Sequence, residues 1–410
     1  MMRYVIVGNG IAAAACIEGI RSVDGDGSVT VVSKENRPVY CRPLISYYLE
    51  GKASLEHMGY RDQGFYERMG AEVLYGAEAI RVDAEARAIE LQDGTLLPYD
   101  RLCIATGSSP FVPAFEGIET VTQAFPFMTL DDALALDAAI DPTSRVLIVG
   151  AGLIGLKCAE GICGRVASIT VCDLAGRVLS SILDDDCAAL MQHHLEENGI
   201  SFRLGRSVAS FDGPTATMTD GETIPFDVLV LAVGVRANTA LLRDADGEVG
   251  RGIVVDEHMR TSVPDIFAAG DCTEGDDISF NGRRVLAILP NAYLQGHAAG
   301  VNMAGGEEVH CKAIPMNSIG FFGLHAMTAG TYTGELFEER SENSIKRLYT
   351  EDGLLKGFML VGCDERAGIY TSLIRERTQL DTVDFEVLKR AASSVAFAPE
   401  ERRKRFGGAV

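Results

Sequence analysis

The chain has 410 residues, of which 47% are hydrophobic and 23% charged, and its formal net charge is −21. This length is too great for one core and predicts two or three domains. So acidic a chain argues against nucleic acid as a partner, because a phosphate backbone attracts basic surfaces. No apolar run reaches the ~18 residues of a membrane-spanning helix, and no signal-peptide pattern precedes the first apolar run. We therefore expect a cytoplasmic protein with no membrane partner.

The first element, residues 4–7, is a short β-branched apolar run, which is typical of a strand buried on both faces of a parallel sheet. Gly8 and Gly10 follow, and residues 11–17 predict a helix. Gly8 permits the sharp turn, and Gly10 leaves room for a pyrophosphate at the helix N-terminus, where the helix dipole favours an anion. Ala13 takes the place of the third glycine of GxGxxG. An ordinary glycine turn remains the alternative, but the place between strand and helix favours a dinucleotide site.

Residues 28–32 predict the second strand of this unit, and Glu35 follows its end with two residues, Ser33 and Lys34, between. A carboxylate there accepts hydrogen bonds from an adenosine ribose. The proline-stiffened loop 37–46 comes next, with Arg42 inside it and Lys52 beyond it. These two cations either face the pyrophosphate or ring of a bound dinucleotide or belong to an ordinary salt-bridged surface loop.

Three alternating segments, residues 72–75, 79–83 and 88–91, predict a small antiparallel meander. Residues 99–104 then predict an apolar strand that ends in the turn Thr106-Gly107. Prolines shortly after this turn indicate a crossover into another domain.

A second glycine motif follows the predicted strand 145–149 and has all three glycines of GxGxxG: Gly150, Gly152 and Gly155. Residues 167–172 predict its second strand, and Asp173 falls directly at the end. A carboxylate there accepts from both ribose hydroxyls of NADH and repels a 2′-phosphate. Arg177 nearby keeps NADPH open as the less favoured cofactor.

A further meander is predicted over residues 201–223, followed by an apolar strand over 226–233 and a turn at Gly234. Both halves thus repeat one plan, which implies two nucleotide sites. Residues 266–269 then predict a strand that runs into Gly270-Asp271 before a helix over 291–303. Asp271 is thereby placed at a strand C-terminus, where doubly wound sheets bind ligands and where it can bond the ribitol of a flavin.

The ten cysteines are scattered, and no CxxC pair occurs. We therefore expect neither a zinc site nor a thioredoxin-like motif, and no bound metal. Cys158 and Cys163 have the gap of a redox disulfide, but five positions along a predicted helix separate their faces. Packing in the core is the favoured interpretation.

Charge is unevenly distributed. Residues 311–410 carry 14 Lys/Arg and 14 Asp/Glu, so the whole net charge of −21 lies in residues 1–310. The neutral segment is rich in predicted strands and ends in a helical tail with four consecutive cations at 402–405.

Together these residues resemble the two-dinucleotide flavoprotein reductases, the pyridine nucleotide-disulfide oxidoreductase family that includes glutathione reductase. The markers stand in the family's order over about residues 1–310: Gly8, Gly10, Thr106-Gly107, Gly150, Gly152, Gly155, Gly234 and Ala269-Gly270-Asp271. The resemblance implies FAD in the first site, NAD(P)H in the second, and hydride transfer to flavin N5 between them.

The fold implied is α/β, with two Rossmann-like dinucleotide-binding domains for FAD and NAD and a C-terminal α+β interface domain. The FAD-binding domain is discontinuous, over 1–112 and 237–309. The NAD(P)H-binding domain spans 113–236, and the interface domain spans 310–410.

Within the family, the loop 40–44 with residues 48–52 is similar to rubredoxin reductases and to the flavin module of assimilatory nitrite reductases, as are residues 320–324 and 362–368. The FAD contacts implied are Gly8, Gly10, Ile11, Ala12, Glu35, Arg42, Lys52, Thr106, Gly107 and Asp271. The NAD contacts implied are Gly150, Gly152, Leu153, Ile154, Gly155, Asp173 and Gly234.

Two departures from the family pattern affect the chemistry. The redox disulfide CxxxxC is missing, and Pro43 stands near the single redox cysteine of NADH oxidases and coenzyme-A-disulfide reductases, with Cys41 two residues upstream. Lys157 stands where many relatives have a Glu near the nicotinamide. We expect no catalytic residue beyond the flavin, with Cys41 and Lys157 as the only candidates.

The resemblance implies that NADH reduces FAD and that electrons then pass singly to an iron protein such as rubredoxin or ferredoxin. Because such carriers are generally acidic, the charge distribution predicts that the carrier approaches beside the neutral C-terminal segment and its basic run. The alternative is that this tail is a disordered, solubilising end. One alternative is an NADH oxidase or a thiol-linked reductase that uses Cys41. Another is a flavin-binding redox sensor or scaffold. An oligomer is compatible with all three.

Overall fold

The structure is a computed structural model that describes residues 1–280 and 282–406, with side chains through residue 403. The described residues form eleven α-helices: α1 (Ile11–Val23), α2 (Leu44–Leu49), α3 (Phe65–Arg68), α4 (Leu130–Ala139), α5 (Leu153–Ile162), α6 (Asp185–Glu197), α7 (Ala240–Arg243), α8 (Leu289–Met303), α9 (Ala367–Arg375), α10 (Phe385–Arg390) and α11 (Pro399–Phe406).

The strands of the first half are β1 (Arg3–Val7), β2 (Ser28–Ser33), β3 (Ala71–Tyr75), β4 (Ala79–Asp83), β5 (Ala88–Leu91), β6 (Leu96–Pro98), β7 (Arg101–Ile104), β8 (Ser108–Pro110), β9 (Ala124–Pro126), β10 (Arg145–Val149), β11 (Ser168–Asp173), β12 (Ile200–Leu204) and β13 (Val208–Asp212). Those that follow are β14 (Thr215–Met218), β15 (Thr223–Pro225), β16 (Val228–Leu231), β17 (Val235–Ala237), β18 (Ile253–Val254), β19 (Ile266–Ala268), β20 (Thr273–Asp277), β21 (Gly282–Arg284), β22 (Met316–Phe321), β23 (Leu324–Gly330), β24 (Glu335–Arg340), β25 (Ile345–Glu351) and β26 (Leu354–Val361).

A parallel five-stranded sheet, in the order β19-β7-β1-β2-β3, forms the first half of the fold. Val5 in β1 pairs with Thr30 on one side and with Leu102 on the other, which places the apolar run at the centre of the sheet. The predicted strand over residues 4–7 is therefore confirmed. The edge strand β19 comes from much later in the chain, so this sheet is built from two separate stretches of sequence.

A second parallel sheet, in the order β12-β11-β10-β16-β9, repeats the plan. The chain crosses between the two sheets twice, at β8 and β17, and these two short strands pair antiparallel with Pro110 opposite Val235. The expectation of two Rossmann-like units is confirmed. The boundaries at 112, 237 and 309 stay predictions.

Two strands differ from their predicted partners. β3 and β12 are parallel edge strands of the two main sheets, whereas residues 72–75 and the start of 201–223 were expected in antiparallel meanders. The meanders themselves are β4-β5-β6 and β13-β14-β15. An edge strand is partly exposed and alternates in polarity like an antiparallel strand, so its pattern does not distinguish the two.

The C-terminal part is a five-stranded antiparallel sheet in the order β22-β23-β26-β25-β24. Alternate residues of β26 face opposite cores. Phe358 and Leu360 pack with the C-terminal helices, whereas Met359 and Val361 pack with residues of the second parallel sheet. This period of two buries both faces of β26.

All ten cysteines are free thiols. Cys158 is fully buried, as core packing predicts, whereas Cys163 is only partly buried and follows the end of α5 as its C-cap. In the part of the chain that the structure describes, no helix combines the length and apolar character needed to cross a bilayer.

Candidate functional site

The first glycine turn is built as a strand-to-helix junction. Gly8 has φ +109°, and a Cβ there would lie 2.1 Å from the carbonyl oxygen of Ala105, so no other residue fits. Gly10 is the N-cap of α1, and a Cβ on it would meet no described atom within 4 Å. Ile11 and Ala12 form the first turn of α1, which carries no acidic side chain. The turn thus presents open space and free N–H groups, an arrangement suited to a phosphate.

Asp271 follows β19 at the carboxyl end of the first sheet and lines a cavity of about 450 Å³ together with Ser108. Its carboxylate accepts no hydrogen bond from the described residues, and burial raises its pKa while Arg42 opposes the rise. The hydroxyl of Ser108 is also buried without a partner. Two unpartnered polar groups in one cavity fit a ligand rich in hydroxyls, such as the ribitol of FAD.

Glu35 and Arg42, which were each expected to contact FAD, bind each other in the structure. One carboxylate oxygen of Glu35 pairs with the Arg42 guanidinium, and the other accepts from the Tyr40 hydroxyl at 2.8 Å. Arg42 also donates to the carbonyl oxygen of Met128 at 3.3 Å. Arg42 lies close enough to Asp271 for its charge to lower the pKa of that carboxyl, and each partner of the pair retains hydrogen-bonding capacity for a ribose or a phosphate.

Lys52 is the FAD candidate that the structure separates from the others. Its ammonium pairs with Glu50 just after α2, and its side chain is 62% exposed. Within the described residues, no contact joins Lys52 to the glycine turn, to Arg42 or to Asp271. We therefore leave Lys52 out of the proposed cofactor site.

Two residues that hold the site were missed by the sequence analysis. Asn238, which directly follows β17, donates from its side-chain amide to the carbonyl oxygen of Thr106 at 2.9 Å. The backbone carbonyl oxygen of Asn238 accepts from the Thr106 hydroxyl at 2.9 Å. These two hydrogen bonds fix the Thr106-Gly107 turn. Gln295 of α8 accepts from the N–H of Gly270 at 2.9 Å and thereby fixes the turn that carries Asp271.

The second glycine turn repeats the first with tighter packing. Gly150 has φ +120°, and a Cβ there would lie 2.2 Å from the carbonyl oxygen of Ala232. A Cβ on Gly155 would lie 2.0 Å from the carbonyl oxygen of Gly150, so the third glycine lets α5 approach the turn closely. Gly152 is the N-cap of α5 and, like Gly10, faces open space among the described residues.

Asp173 is held at the end of β11 by two backbone amides. One carboxylate oxygen accepts from the N–H of Ala151 at 2.7 Å and the other from the N–H of Ala175 at 2.8 Å. The carboxylate is therefore fixed directly beside the glycine turn, with lone pairs left for ribose hydroxyls. Leu153 and Ile154 form the adjacent first turn of α5.

Arg177 is engaged elsewhere. Its guanidinium donates to the carbonyl oxygens of Leu183 at 3.1 Å and Ser180 at 3.3 Å, and it pairs with Asp185 at 3.0 Å. A 2′-phosphate would have to compete with these three partners. Gly234, with φ +117°, closes the turn after β16 as predicted.

Cys41 has the properties of an ordinary thiol. Burial raises its pKa, and only the N–H of Leu44 opposes the rise. A reactive cysteine needs a lowered pKa and an electropositive environment. The environment of Cys41 therefore disfavours thiolate chemistry.

Lys157 lies between α5 and the C-terminal sheet. Its ammonium pairs with Glu160 one turn along α5, donates to the carbonyl oxygen of Gly320 at 3.3 Å, and lies 4.7 Å from the ring centre of Tyr47. Its side chain is only 14% exposed. The second candidate for a catalytic role is thus engaged in holding α5 against the C-terminal sheet. Among the described residues, no cluster of three His, Cys, Asp or Glu side chains could hold a metal ion.

Comparison with known proteins agrees with this arrangement. The family model for pyridine nucleotide-disulphide oxidoreductases matches residues 2–296. The chain is 32% identical over 393 residues to the NADH-dependent phenylglyoxylate dehydrogenase subunit epsilon of Aromatoleum evansii, covering 92% of each chain. It is 31% identical over 397 residues to an NADH oxidase of Methanocaldococcus jannaschii, covering 88% of each.

Among solved structures, the reductase of a covalent putidaredoxin reductase–putidaredoxin complex has the same fold, with a TM-score of 0.87, 24% identity, and coverage of 100% of this chain and 99% of that one. The expected α/β fold and the expected family are both confirmed. Members of this family bind FAD and a pyridine nucleotide. The chain belongs to the pyridine nucleotide-disulphide oxidoreductase family and is an NAD(P)H-dependent FAD oxidoreductase.

Proposed function

We propose that this protein takes hydride from NADH and passes electrons, through FAD, to an iron–sulfur or rubredoxin-type protein. The observation that carries the proposal is the duplicated glycine turn, with a fixed carboxylate at Asp173 beside one copy and an unpartnered carboxylate at Asp271 beside the other. The expected cytoplasmic location is part of the same proposal.

Each site would use residues from several strand ends. For FAD these are Gly8, Gly10, Ile11, Ala12, Glu35, Arg42, Thr106, Gly107 and Asp271. For NADH they are Gly150, Gly152, Leu153, Ile154, Gly155, Asp173 and Gly234. When bound, FAD would supply the conversion of a two-electron hydride into single electrons. The residues of this chain bind and orient the two dinucleotides.

NADH is the proposed electron donor in preference to NADPH. The fixed Asp173 carboxylate would repel a 2′-phosphate, and Arg177 is engaged by Leu183, Ser180 and Asp185. The preference for NADH over NADPH therefore has two sources. The Asp173 carboxylate repels a 2′-phosphate, and the guanidinium of Arg177 is not free to bind one.

An electron-carrier protein is the proposed acceptor. Support comes from the full-length relative that is named as one subunit of an NADH-dependent dehydrogenase, and from the reductase solved in covalent complex with putidaredoxin. Of the basic run at 402–405 that was expected to meet this carrier, Lys404 and Arg405 lie outside the residues whose side chains are described.

Oxygen is the second candidate acceptor, because another full-length relative is an NADH oxidase. The thiol-linked alternative is less favoured, because the raised pKa of Cys41 keeps its thiol protonated. A redox sensor or scaffold would reduce its flavin with NADH but would show no fast turnover.

The test is anaerobic stopped-flow reduction by NADH, followed by mixing with rubredoxin, [2Fe–2S] ferredoxin, oxygen or a disulfide. We expect flavin bleaching by NADH and faster reoxidation by an iron protein than by oxygen or a disulfide. Fastest reoxidation by oxygen would support the oxidase. Slow reoxidation by all four would support the sensor.

A further inference from the structure

Three arginines beside the proposed FAD site lack ionic partners. Of the 20 arginines in residues 1–310, 15 form ion pairs in the structure. Three of the remaining five, Arg236, Arg243 and Arg251, line the cavity that also contains Asp271. We call these three the arginine rim. Residues 1–310 carry the whole net negative charge of the chain, so three unpaired arginines around one cavity are distinctive there.

Two members of the arginine rim are held in place without being neutralised. The guanidinium of Arg236 lies 4.0 Å from the ring centre of Phe111, and Arg243 donates to the Thr239 hydroxyl at 2.6 Å. Stacking and a neutral acceptor fix the direction of a guanidinium while leaving its charge available. The rim is therefore preorganised for carboxylates.

In the chain, the exposed Asp244, Asp246 and Glu248 lie between Arg243 and Arg251. Two further acidic groups lie near the rim. Asp271 lines the same cavity, and Glu274 accepts hydrogen bonds from the backbone N–H groups of Arg251 at 2.6 Å and Gly252 at 3.1 Å. Neither carboxylate forms an ion pair with a rim guanidinium in the described structure. Among the residues that line the cavity itself, three are arginines and one, Asp271, is acidic, so the lining is basic.

An exposed aromatic side chain adjoins this surface. The cavity wall includes Val285, and the preceding residue, Arg284, lies over the ring of Phe280 at 4.5 Å from its centre. Phe280 is 59% exposed. Arginines around an exposed aromatic ring are typical of protein interfaces, in which these residue types form the binding hot spots.

We infer that the arginine rim, with Phe280 beside it, is the docking surface for the carboxylates of an acidic electron-carrier protein. This inference rests on the proposed function and names the surface that the carrier contacts. A protein fits better than a small anion because all three rim arginines are exposed and the adjoining Phe280 offers apolar contact area. A carrier seated there would lie at the carboxyl end of the first sheet, next to the cavity of Asp271.

The inference is tested with the FAD-loaded enzyme and two sets of variants. One triple variant replaces Arg236, Arg243 and Arg251 by Gln, and a second replaces all three by Glu. The matched control is Arg260→Gln, which changes an exposed arginine without an ion pair that lies outside the cavity. A further control reverses Arg402 and Arg403, which belong to the tail expected earlier to meet the carrier.

NADH-reduced enzyme is mixed with rubredoxin, with [2Fe–2S] ferredoxin or with an uncharged benzoquinone. For the iron protein that oxidises wild type, we expect the second-order rate at low ionic strength to fall at least tenfold in the Gln triple variant and further in the Glu variant, with a flattened salt dependence, because complementary charge raises association rates by about 10–10³-fold. Both controls should match wild type, and benzoquinone should oxidise every variant equally.

Four outcomes would overturn the inference. The first is an equal rate of carrier reduction in wild type and rim variants, and the second is slower carrier reduction in the tail variant alone. The third is loss of FAD from the rim variants. The fourth is competitive inhibition by millimolar pyrophosphate that persists at high salt, because this result would identify a pocket for small anions. If wild type transfers electrons to no protein at all, the proposed function falls as well. A fast wild type with equally fast rim variants removes only the docking surface.

Discussion

Asp271 offers the sharpest test of the cofactor site, because its carboxylate is unpartnered in the described structure. Asp271→Asn keeps the shape of the side chain and removes the charge. If the carboxylate accepts hydrogen bonds from ribitol hydroxyls, its loss costs about 1.5–3 kcal/mol, the usual range for a hydrogen bond to a charged group. We therefore expect FAD to bind about 10- to 150-fold more weakly, measured by titration of flavin fluorescence on apoprotein.

The same substitution should make the apoprotein more stable, because a half-buried carboxylate without hydrogen-bond partners is costly to ionise. Its pKa is raised above the ordinary 3.8, so the folded apoprotein binds this proton more tightly than the unfolded chain does. Apoprotein stability is therefore lost as pH rises from about 3.8 through the raised pKa. The stability gain of Asp271→Asn should appear above that window and vanish below it in urea unfolding of apoprotein.

The matched control is Asp265→Asn at the opposite end of the same strand. Asp265 pairs with Arg87 and Arg101, so its loss should lower stability and leave FAD affinity unchanged. An unchanged FAD affinity in Asp271→Asn, or an apoprotein that is less stable than wild type at pH 7, would refute the assignment of Asp271 to the ribitol.

Three further results are expected. Asp173→Ser should narrow the preference for NADH over NADPH by about tenfold in flavin-reduction rates, since the repelling carboxylate is gone; equal rates with both cofactors in wild type would contradict its role. Cys41→Ser should leave NADH reduction and acceptor turnover within about twofold, because its thiol has a raised pKa; a thiolate–flavin charge-transfer band in wild type would oppose this. Gly155→Ala and Gly152→Ala should both weaken NADH binding, but only Gly155→Ala should lower the Tm, because its Cβ would lie 2.0 Å from a carbonyl oxygen; equal melting of the two variants would count against the tight turn.

The elements that sequence reasoning predicts well are those in which local pattern and burial agree. Residues 4–7 and 146–149 are apolar throughout because both faces of their sheets are covered, and each is followed by a glycine turn. The place of Asp173 was predictable because it ends the strand that follows the second glycine motif. The two edge strands β3 and β12 were assigned to meanders because partial exposure gives them an antiparallel pattern.

Long-range side-chain pairing was out of reach of the sequence. Asn238 reaches Thr106 across 132 positions, and Gln295 reaches Gly270 across 25. Nothing in the local sequence of Arg177 or Lys52 shows that one is engaged by nearby carbonyls and the other is exposed beside Glu50. Which cations remain unpaired is a property of the folded surface, and the arginine rim became visible only there.

The late arrival of β19 has a consequence for biosynthesis. β7 pairs with β19 through Leu102 and Ile266, which are 164 positions apart. At ~5–20 residues per second, a ribosome would need roughly 8–30 s to supply the missing strand. Until then the newly made β7 presents open N–H and C=O groups, which are a template for pairing with another chain. Chains truncated before residue 266 should therefore aggregate, whereas the second sheet, whose strands all lie between β9 and β16, can close before the first is complete.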